Sequence, residues 1–333
     1  MIGRYFHPMR KNAFVVAFLI LSVAIILCMQ NISWKWNSLL LLIFGSFSLV
    51  AGSDLFVEGA AGVASRHGIS EHAVGLTIVA FGTSLPEFAV SFIASWEKHG
   101  GVAIGNVLGS NVTNILLIMG IAILLMPLKP SKFALKDSLY MLAVSLILLL
   151  ASIDGMLKAY DGIILLLFYF FFIYILYKRK SVEAKCESSL GYAASFLFLL
   201  LGIVAITVGG NATVSGAVDV ARLLGVSETA VAASIVAFGT SLPELSTSVM
   251  ATLKKYHGIA IGNIIGSNIV NLGVVLGSAC IVKSISVAMD FTMLFFVLST
   301  LLATLVIWRK VYGRAAGIAF LILYFIFLIL LYL

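Results

Sequence analysis

The nonapeptide VAFGTSLPE occurs at Val79–Glu87 and again at Val236–Glu244, each copy carrying a proline and a carboxylate inside apolar sequence. Proline has no N–H, so Pro86 takes the helical donor away from the carbonyl of Gly82, and Pro243 does the same to Gly239. A carbonyl freed in an apolar medium is costly unless something binds it, and a dehydrated cation can. A simple kink satisfied by neighbouring hydroxyls would account for the prolines alone. It does not account for Glu87 and Glu244, because a carboxylate at the centre of a bilayer costs roughly 3 kcal/mol on insertion and marks an ion or proton path. Thr83 and Ser91 stand four residues either side of Glu87, a spacing that places all three on one helix face, and Thr240, Glu244 and Ser248 repeat the stripe. In the following apolar stretch Ser110 and Asn114 share a face, as do Ser267 and Asn271. Carboxylate, hydroxyl, amide and carbonyl oxygens suit hard cations such as Ca2+ and Na+, not zinc or copper. Two carboxylates facing each other at about 6 Å repel by roughly 3 kcal/mol at an effective dielectric of 20. Such a pair takes up a proton, one divalent cation, or several monovalent ones, which is the chemistry of a divalent/monovalent exchange site.

These residues must be positioned by membrane helices. The 333 residues are 62% hydrophobic and 11% charged, with a mean hydropathy of +1.14, too little polar surface for a water-soluble globule. Apolar runs of about 20 residues, the length that crosses a bilayer as a helix, recur along the chain, and none alternates as a barrel strand would. Spans are expected near 13–30, 38–65, 72–96, 102–127, 138–153, 160–177, 190–221, 229–253, 259–282, 291–308 and 315–332. With the N-terminus in the cytoplasm, 16 basic residues fall on the cytoplasmic side and 5 outside, so the net charge of +7 is a topology signal rather than a nucleic-acid footprint. The C-terminus then lies outside, and the setting is a plasma (inner) membrane. The first run follows Arg4, Arg10 and Lys11 like a signal peptide, but no small-x-small cleavage site precedes Trp34, so it reads as an uncleaved extra span. Cys28, Cys186 and Cys280 lack disulfide or metal-ligand spacing. The histidines show no ligand pattern either: His67 and His72 fall between spans, His99 and His257 at span ends, and all read as interfacial.

The repeat extends beyond nine letters. At an offset of 157, Ile78–Glu87 matches Ile235–Glu244 at ten of ten positions, and AIGNVLGSNVTN at 103–114 matches AIGNIIGSNIVN at 260–271 at eight of twelve. Upstream, Gly52 meets Gly209 and Gly59 meets Gly216. Five spans per half is an odd number, so the second half enters the membrane from the opposite side. The expectation is an all-α polytopic membrane protein with ten core helices as two inverted five-helix repeats, plus one extra N-terminal span, an architecture that places substrate at the repeat interface. Its parts are an N-terminal segment 1–37, a first repeat 38–177 with its motif at 78–120, a linker 178–189, and a second repeat 190–333 with its motif at 235–277.

At these residues the chain resembles the cation/calcium antiporter superfamily, and within it the Na+/Ca2+ exchangers of short prokaryotic type. The paired GTSLPE and GNxxGSNxxN stretches look like that family's two α-repeats, and the resemblance runs from about residue 40 to the C-terminus. It implies Ca2+ binding by Glu87 and Glu244 with the backbone carbonyls of Thr83 and Thr240. It also implies Na+ sites drawing on Ala80, Ser84, Ser110 and Asn114 and their partners Ala237, Ser241, Ser267 and Asn271. The long helices starting near 38 and 190 would be the sliding gate, with Gly52, Gly59, Gly209 and Gly216 as small faces for movement or for plain close packing. Asparagine at 271, where archaeal relatives and K+-dependent exchangers carry aspartate, favours exchange without K+. The short linker leaves no room for a cytoplasmic Ca2+-sensing domain. Asp54 and Glu58, whose repeat partners are Asn211 and Ser215, read as solvated or paired near Arg66 rather than as an ion entry.

The expected function is a secondary antiporter exporting Ca2+ against Na+, with no cofactor, no enzymatic activity, no nucleic-acid partner and no obligatory protein partner beyond the lipid bilayer. An H+/Ca2+ antiporter or a K+-dependent exchanger is the alternative, and a cation channel a weaker one. A serine hydrolase built on Ser84 or Ser241 lacks a histidine base on a nearby span.

Overall fold

A computed structural model describes residues 3–29, 37–126, 130–179, 188, 190–224 and 237–331. Most of the linker and the opening of the second motif, including Ile235 and Val236, lie outside the described residues. The helices are α1 (Gly3–Met29), α2 (Asn37–His67), α3 (Glu71–Thr83), α4 (Leu85–Trp96), α5 (Gly100–Leu125), α6 (Ala134–Ala151), α7 (Ala159–Lys178), α8 (Tyr192–Leu223), α9 (Ala237–Gly239), α10 (Leu242–Leu253), α11 (His257–Val282), α12 (Phe291–Arg309) and α13 (Arg314–Leu331). Among the described residues, eight helices are long and apolar enough to cross a membrane, and the bent pair α3–α4 makes a ninth. The apolar part of α1 covers Val16–Met29. One feature departs from an all-helical chain: β1 (Met156–Leu157) and β2 (Ile285–Ser286) form a two-stranded antiparallel ladder joining two loops that the charge pattern puts on the outer side.

Helices α2 and α8, of 31 and 32 residues, are longer than a bilayer core of about 30 Å requires at about 1.5 Å rise per residue. They run antiparallel in backbone contact along nearly their full lengths. A Cβ added at Gly45 would lie 2.6 Å from the Thr213 amide nitrogen, one at Gly52 2.9 Å from that of Ile206, and one at Gly59 2.5 Å from that of Leu199. From the other side, Gly202, Gly209 and Gly216 approach Phe56, Leu49 and Leu42 as closely. The glycine faces therefore bind the two helices to each other, as small residues do in membranes. They are not faces along which either slides past a third element. Helix α1 packs on this pair, burying Leu19 against Ala51, Leu55 and Ala205, and Ile26 against Leu41 and Ala212.

The rest of the chain packs around α5 and α11, where Leu116, Met119, Ile265, Leu272, Phe296 and Phe320 are buried in one core. Helices α6, α7, α12 and α13 surround it with outward apolar side chains such as Leu150, Leu167, Phe170 and Phe325, the inverse of a soluble surface. The halves interlock where α3 crosses α11, since a Cβ at Gly75 would meet the Ile259 carbonyl at 2.6 Å and one at Gly266 the Leu76 carbonyl at 2.7 Å.

Two expectations about charged residues are corrected. His72 is not an interfacial loop residue: it lies inside α3, is 2% exposed, and its Nε2 stands 2.9 Å from Asp137 Oδ2. Asp137 also receives both arms of Arg179, at 2.6 and 2.8 Å, tying α3, α6 and the end of α7 together. Asp54 and Glu58 pair with Lys254, at 2.7 and 2.6 Å, rather than with Arg66, which instead donates to the Leu190 carbonyl.

Candidate functional site

The proline motifs break the chain rather than kink a continuous helix. Helix α3 ends at Thr83, Ser84 adopts φ −82° and ψ 6°, and α4 starts at Leu85. Pro86 is thereby the second residue of a new helix, where a missing N–H costs nothing. Ser241 (φ −87°, ψ 2°), Leu242 and Pro243 repeat the arrangement at the start of α10. The two arms α3 and α4 are bent by 47°. The expected stripe is accordingly split: Glu87 and Ser91 share α4, whereas Thr83 closes α3. Glu87 and Glu244 fall in the first turns of α4 and α10, where the partial positive charge of a helix N-terminus favours a carboxylate.

Both carboxylates are sealed from solvent, Glu87 at 0% and Glu244 at 1% exposure. Thr83, Ser84, Ser110, Asn114, Ser241, Ser267, Asn271 and Ala80 are buried too, Thr240 is half-buried, and Ala237 opens the three-residue α9. Hydrogen bonds cross between the halves. Ser84 Oγ donates to Glu244 Oε1 at 3.2 Å. Thr83 Oγ1 reaches Asn263 Oδ1 at 3.2 Å, and Thr240 Oγ1 reaches Asn106 Oδ1 at 3.3 Å. Each asparagine then turns its amide to its own half: Asn263 Nδ2 donates to Ser248 Oγ at 2.9 Å and to the Glu244 carbonyl at 3.5 Å, and Asn106 Nδ2 to Ser91 Oγ at 2.9 Å and the Glu87 carbonyl at 3.3 Å. Apart from the Ser84–Glu244 bond, these hydrogen bonds fall into three pairs related by the 157-residue offset.

Asn106 and Asn263 are absent from the residues chosen by motif, although their identity at the offset inside GNxxGSN was a usable signal. Truncating Asn106 removes three hydrogen bonds and truncating Asn263 four, among them the one each makes to the threonine of the opposite half, at about 1–3 kcal/mol. Asn263→Ala and Asn106→Ala are expected to raise the Ca2+ concentration for half-maximal flux roughly tenfold each, measured as 45Ca2+ uptake into proteoliposomes.

Asn114 and Asn271 sit on π-helical turns, Thr113–Ile118 and Asn271–Leu276, within α5 and α11. Such widened turns recur at functional positions because they re-aim side chains and loosen the backbone ladder. Around them buried polar atoms lack hydrogen-bond partners: both oxygens of Glu87, Oε2 of Glu244, Oγ of Ser110 and Ser241, both polar atoms of Asn114, and Oδ1 of Asn271. Buried polar groups are otherwise almost always paired, so this concentration of free oxygens fits cations as their partners. Among the described residues there is no cluster of three or more His, Cys, Asp or Glu. The donor set is two carboxylates among neutral oxygens, which suits Ca2+ or Na+ passing through as substrate.

The sodium/calcium exchanger protein family model matches residues 37–178 and 194–333. The chain belongs to the sodium/calcium exchanger family. As a family member it is a multi-pass membrane cation/Ca2+ exchanger. It is 38% identical over 294 residues to the sodium/calcium exchanger MaX1 of Methanosarcina acetivorans, covering 75% of this chain and 84% of that one. It is 32% identical over 299 residues to the inner membrane protein YrbG of Escherichia coli, covering 84% and 91%. Among solved structures, the sodium-calcium exchanger NCX_Mj superposes with a TM-score of 0.79 at 33% identity, covering 87% of this chain and 97% of that one.

Proposed function

We propose that this exchanger moves Ca2+ out of the cell against inward Na+, without K+, by alternating access to one site that binds either ion. Glu87 and Glu244 are the shared anionic ligands, completed by the Thr83 and Thr240 carbonyls for Ca2+ and by Ala80, Ser84, Ser110, Asn114, Ala237, Ser241, Ser267 and Asn271 for Na+. The observation carrying this reading is the set of buried, partnerless oxygens contributed by both halves around the two glutamates. Ten core helices in two inverted repeats put that site at the midplane. The N-terminus faces the cytoplasm and the pair α2/α8 acts as the moving element. Asparagine at both 114 and 271 leaves two formal negative charges, matched by one Ca2+ and needing no K+.

Obligatory exchange follows from competition, because Ca2+ and Na+ need the same carboxylates. Proteoliposomes loaded with Na+ and diluted into Na+-free buffer are expected to accumulate 45Ca2+ at a rate that added K+ changes by less than about twofold, a difference under about 0.4 kcal/mol. A pH gradient alone should drive no uptake. Uptake that requires K+, or that follows the pH gradient without Na+, would replace the coupling ion while keeping the site.

A further inference from the structure

The pair α2/α8 leans to one side of the ion site. Helix α2 packs along α10, whereas α8, which takes its place under the 157-residue offset, makes no comparable run against α4. The contact between α2 and α10 is polar at two levels. Ser53 and Ser246 hydroxyls meet at 2.7 Å, and beyond them Lys254, directly after α10, places Nζ 2.7 Å from Asp54 Oδ1 and 2.6 Å from Glu58 Oε1. The offset that matches the motifs fails here: Asp54 and Glu58 correspond to Asn211 and Ser215, and Lys254 corresponds to Glu97. The offset therefore pairs one acid with two neutral side chains, which cannot form an ion pair with each other.

We propose that Lys254 is a one-sided latch, holding α2 against the cytoplasmic end of α10 and weighting the transport cycle toward the arrangement described here. The inference rests on the alternating-access reading. When the halves exchange roles, α8 moves to α4 as α2 now lies on α10, and Glu97 meets Asn211 and Ser215 with no counter-charge. Lys254 meanwhile loses both of its carboxylates. One state has the double ion pair and the other lacks its equivalent, so the latch has a differential free energy between states, as any device that shifts a population must. The three side chains are 21%, 39% and 32% exposed, so solvent screens the pair and the bias is modest.

Apparent affinity on each face scales with the fraction of protein open to that face. In full-length protein of known orientation in proteoliposomes, Lys254→Met is expected to lower the half-saturating Ca2+ concentration on the cytoplasmic face by roughly two- to fivefold. It should raise the value on the outer face by a similar factor. Asp54→Asn with Glu58→Gln, which opens the same latch from the other side, should reproduce both shifts, and adding Lys254→Met to it should change nothing further. Asn211→Lys supplies the missing mirror pair with Glu97 and should move both values in the same directions while the latch stays intact. A merely structural defect would weaken both faces together. Same-direction changes on the two faces, no shift in either latch variant, or no shift in Asn211→Lys would overturn the latch. Failure of the underlying reading shows separately, in unsubstituted protein whose Ca2+ flux persists without a counter-ion.

Discussion

Glu87→Gln is expected to abolish Na+-dependent Ca2+ exchange, and Glu244→Gln to do the same. Each substitution keeps shape and removes one of two carboxylates that are 0% and 1% exposed. Both oxygens of Glu87 lack a geometrically formed hydrogen bond, and on the proposed reading the substrate ion balances its charge. Removing one member of a buried charge pair costs about 3–5 kcal/mol, roughly a hundred- to a thousandfold in apparent Ca2+ affinity or more. The sign on stability is the opposite. Without ions, two carboxylates share a dry site, and replacing one by an amide removes a desolvated charge. Thermal unfolding in Ca2+-free and Na+-free detergent is therefore expected at an equal or higher temperature in either variant. Protection by added Ca2+ should disappear. Near-normal 45Ca2+ flux in either variant would remove that glutamate from the site.

The second large effect lies away from the ions. Gly209→Val should separate α2 from α8, because its Cβ would fall 2.6 Å from the Leu49 amide nitrogen and 2.8 Å from the Gly45 carbonyl oxygen. Both obstacles are backbone, so no rotamer change relieves them and the helices must part. Loss of close packing along such a seam costs about 2–4 kcal/mol, enough to lower the melting temperature by several degrees. Exchange should fall at least tenfold even in protein that inserts, since the pair carries Phe56 and Ile203 onto Gly82, beside the break at Ser84. Gly313→Ala, where an added Cβ meets nothing within 4 Å among the described residues, is the control that should change neither quantity. An unchanged melting temperature in Gly209→Val would mean that the two helices are not held as one body.

What the sequence made legible follows from what repetition encodes. Polar residues kept at identical offsets inside apolar runs single out both glutamates and their hydroxyl and amide companions as candidates, and the fold buries most of them together. Among the described residues, the helices long and apolar enough to cross a membrane fall within a few residues of expected spans, because a bilayer demands long apolar runs and loops mark their ends. The start of the expected span 229–253 lies outside the described residues. Three features escaped. The motif reads as a mid-helix lesion, yet the proline lies in the first turn of a new helix. Local sequence does not reveal that choice, since a proline is compatible both with a kinked helix and with the first turn of a new one. The span pattern puts His72 between spans, but its partner Asp137 is 65 residues away on α6, a pairing no local pattern contains. The roles of Asn106 and Asn263 depend on the other half of the chain, so each looks like an isolated amide until the halves are brought together. Lys254 is the converse case: its significance lies in where the repeat fails to match.

The central claim is that one site serves Ca2+ and Na+ in turn. The most direct test is equilibrium 45Ca2+ binding to the purified protein in detergent as Na+ is raised at constant ionic strength. The account predicts saturation near one Ca2+ per chain, displaced fully by Na+ with a Hill coefficient above 1, because more than one monovalent ion is needed to match the charge of the glutamate pair. Ca2+ binding that survives saturating Na+, or displacement that remains intact in Glu244→Gln, would contradict it.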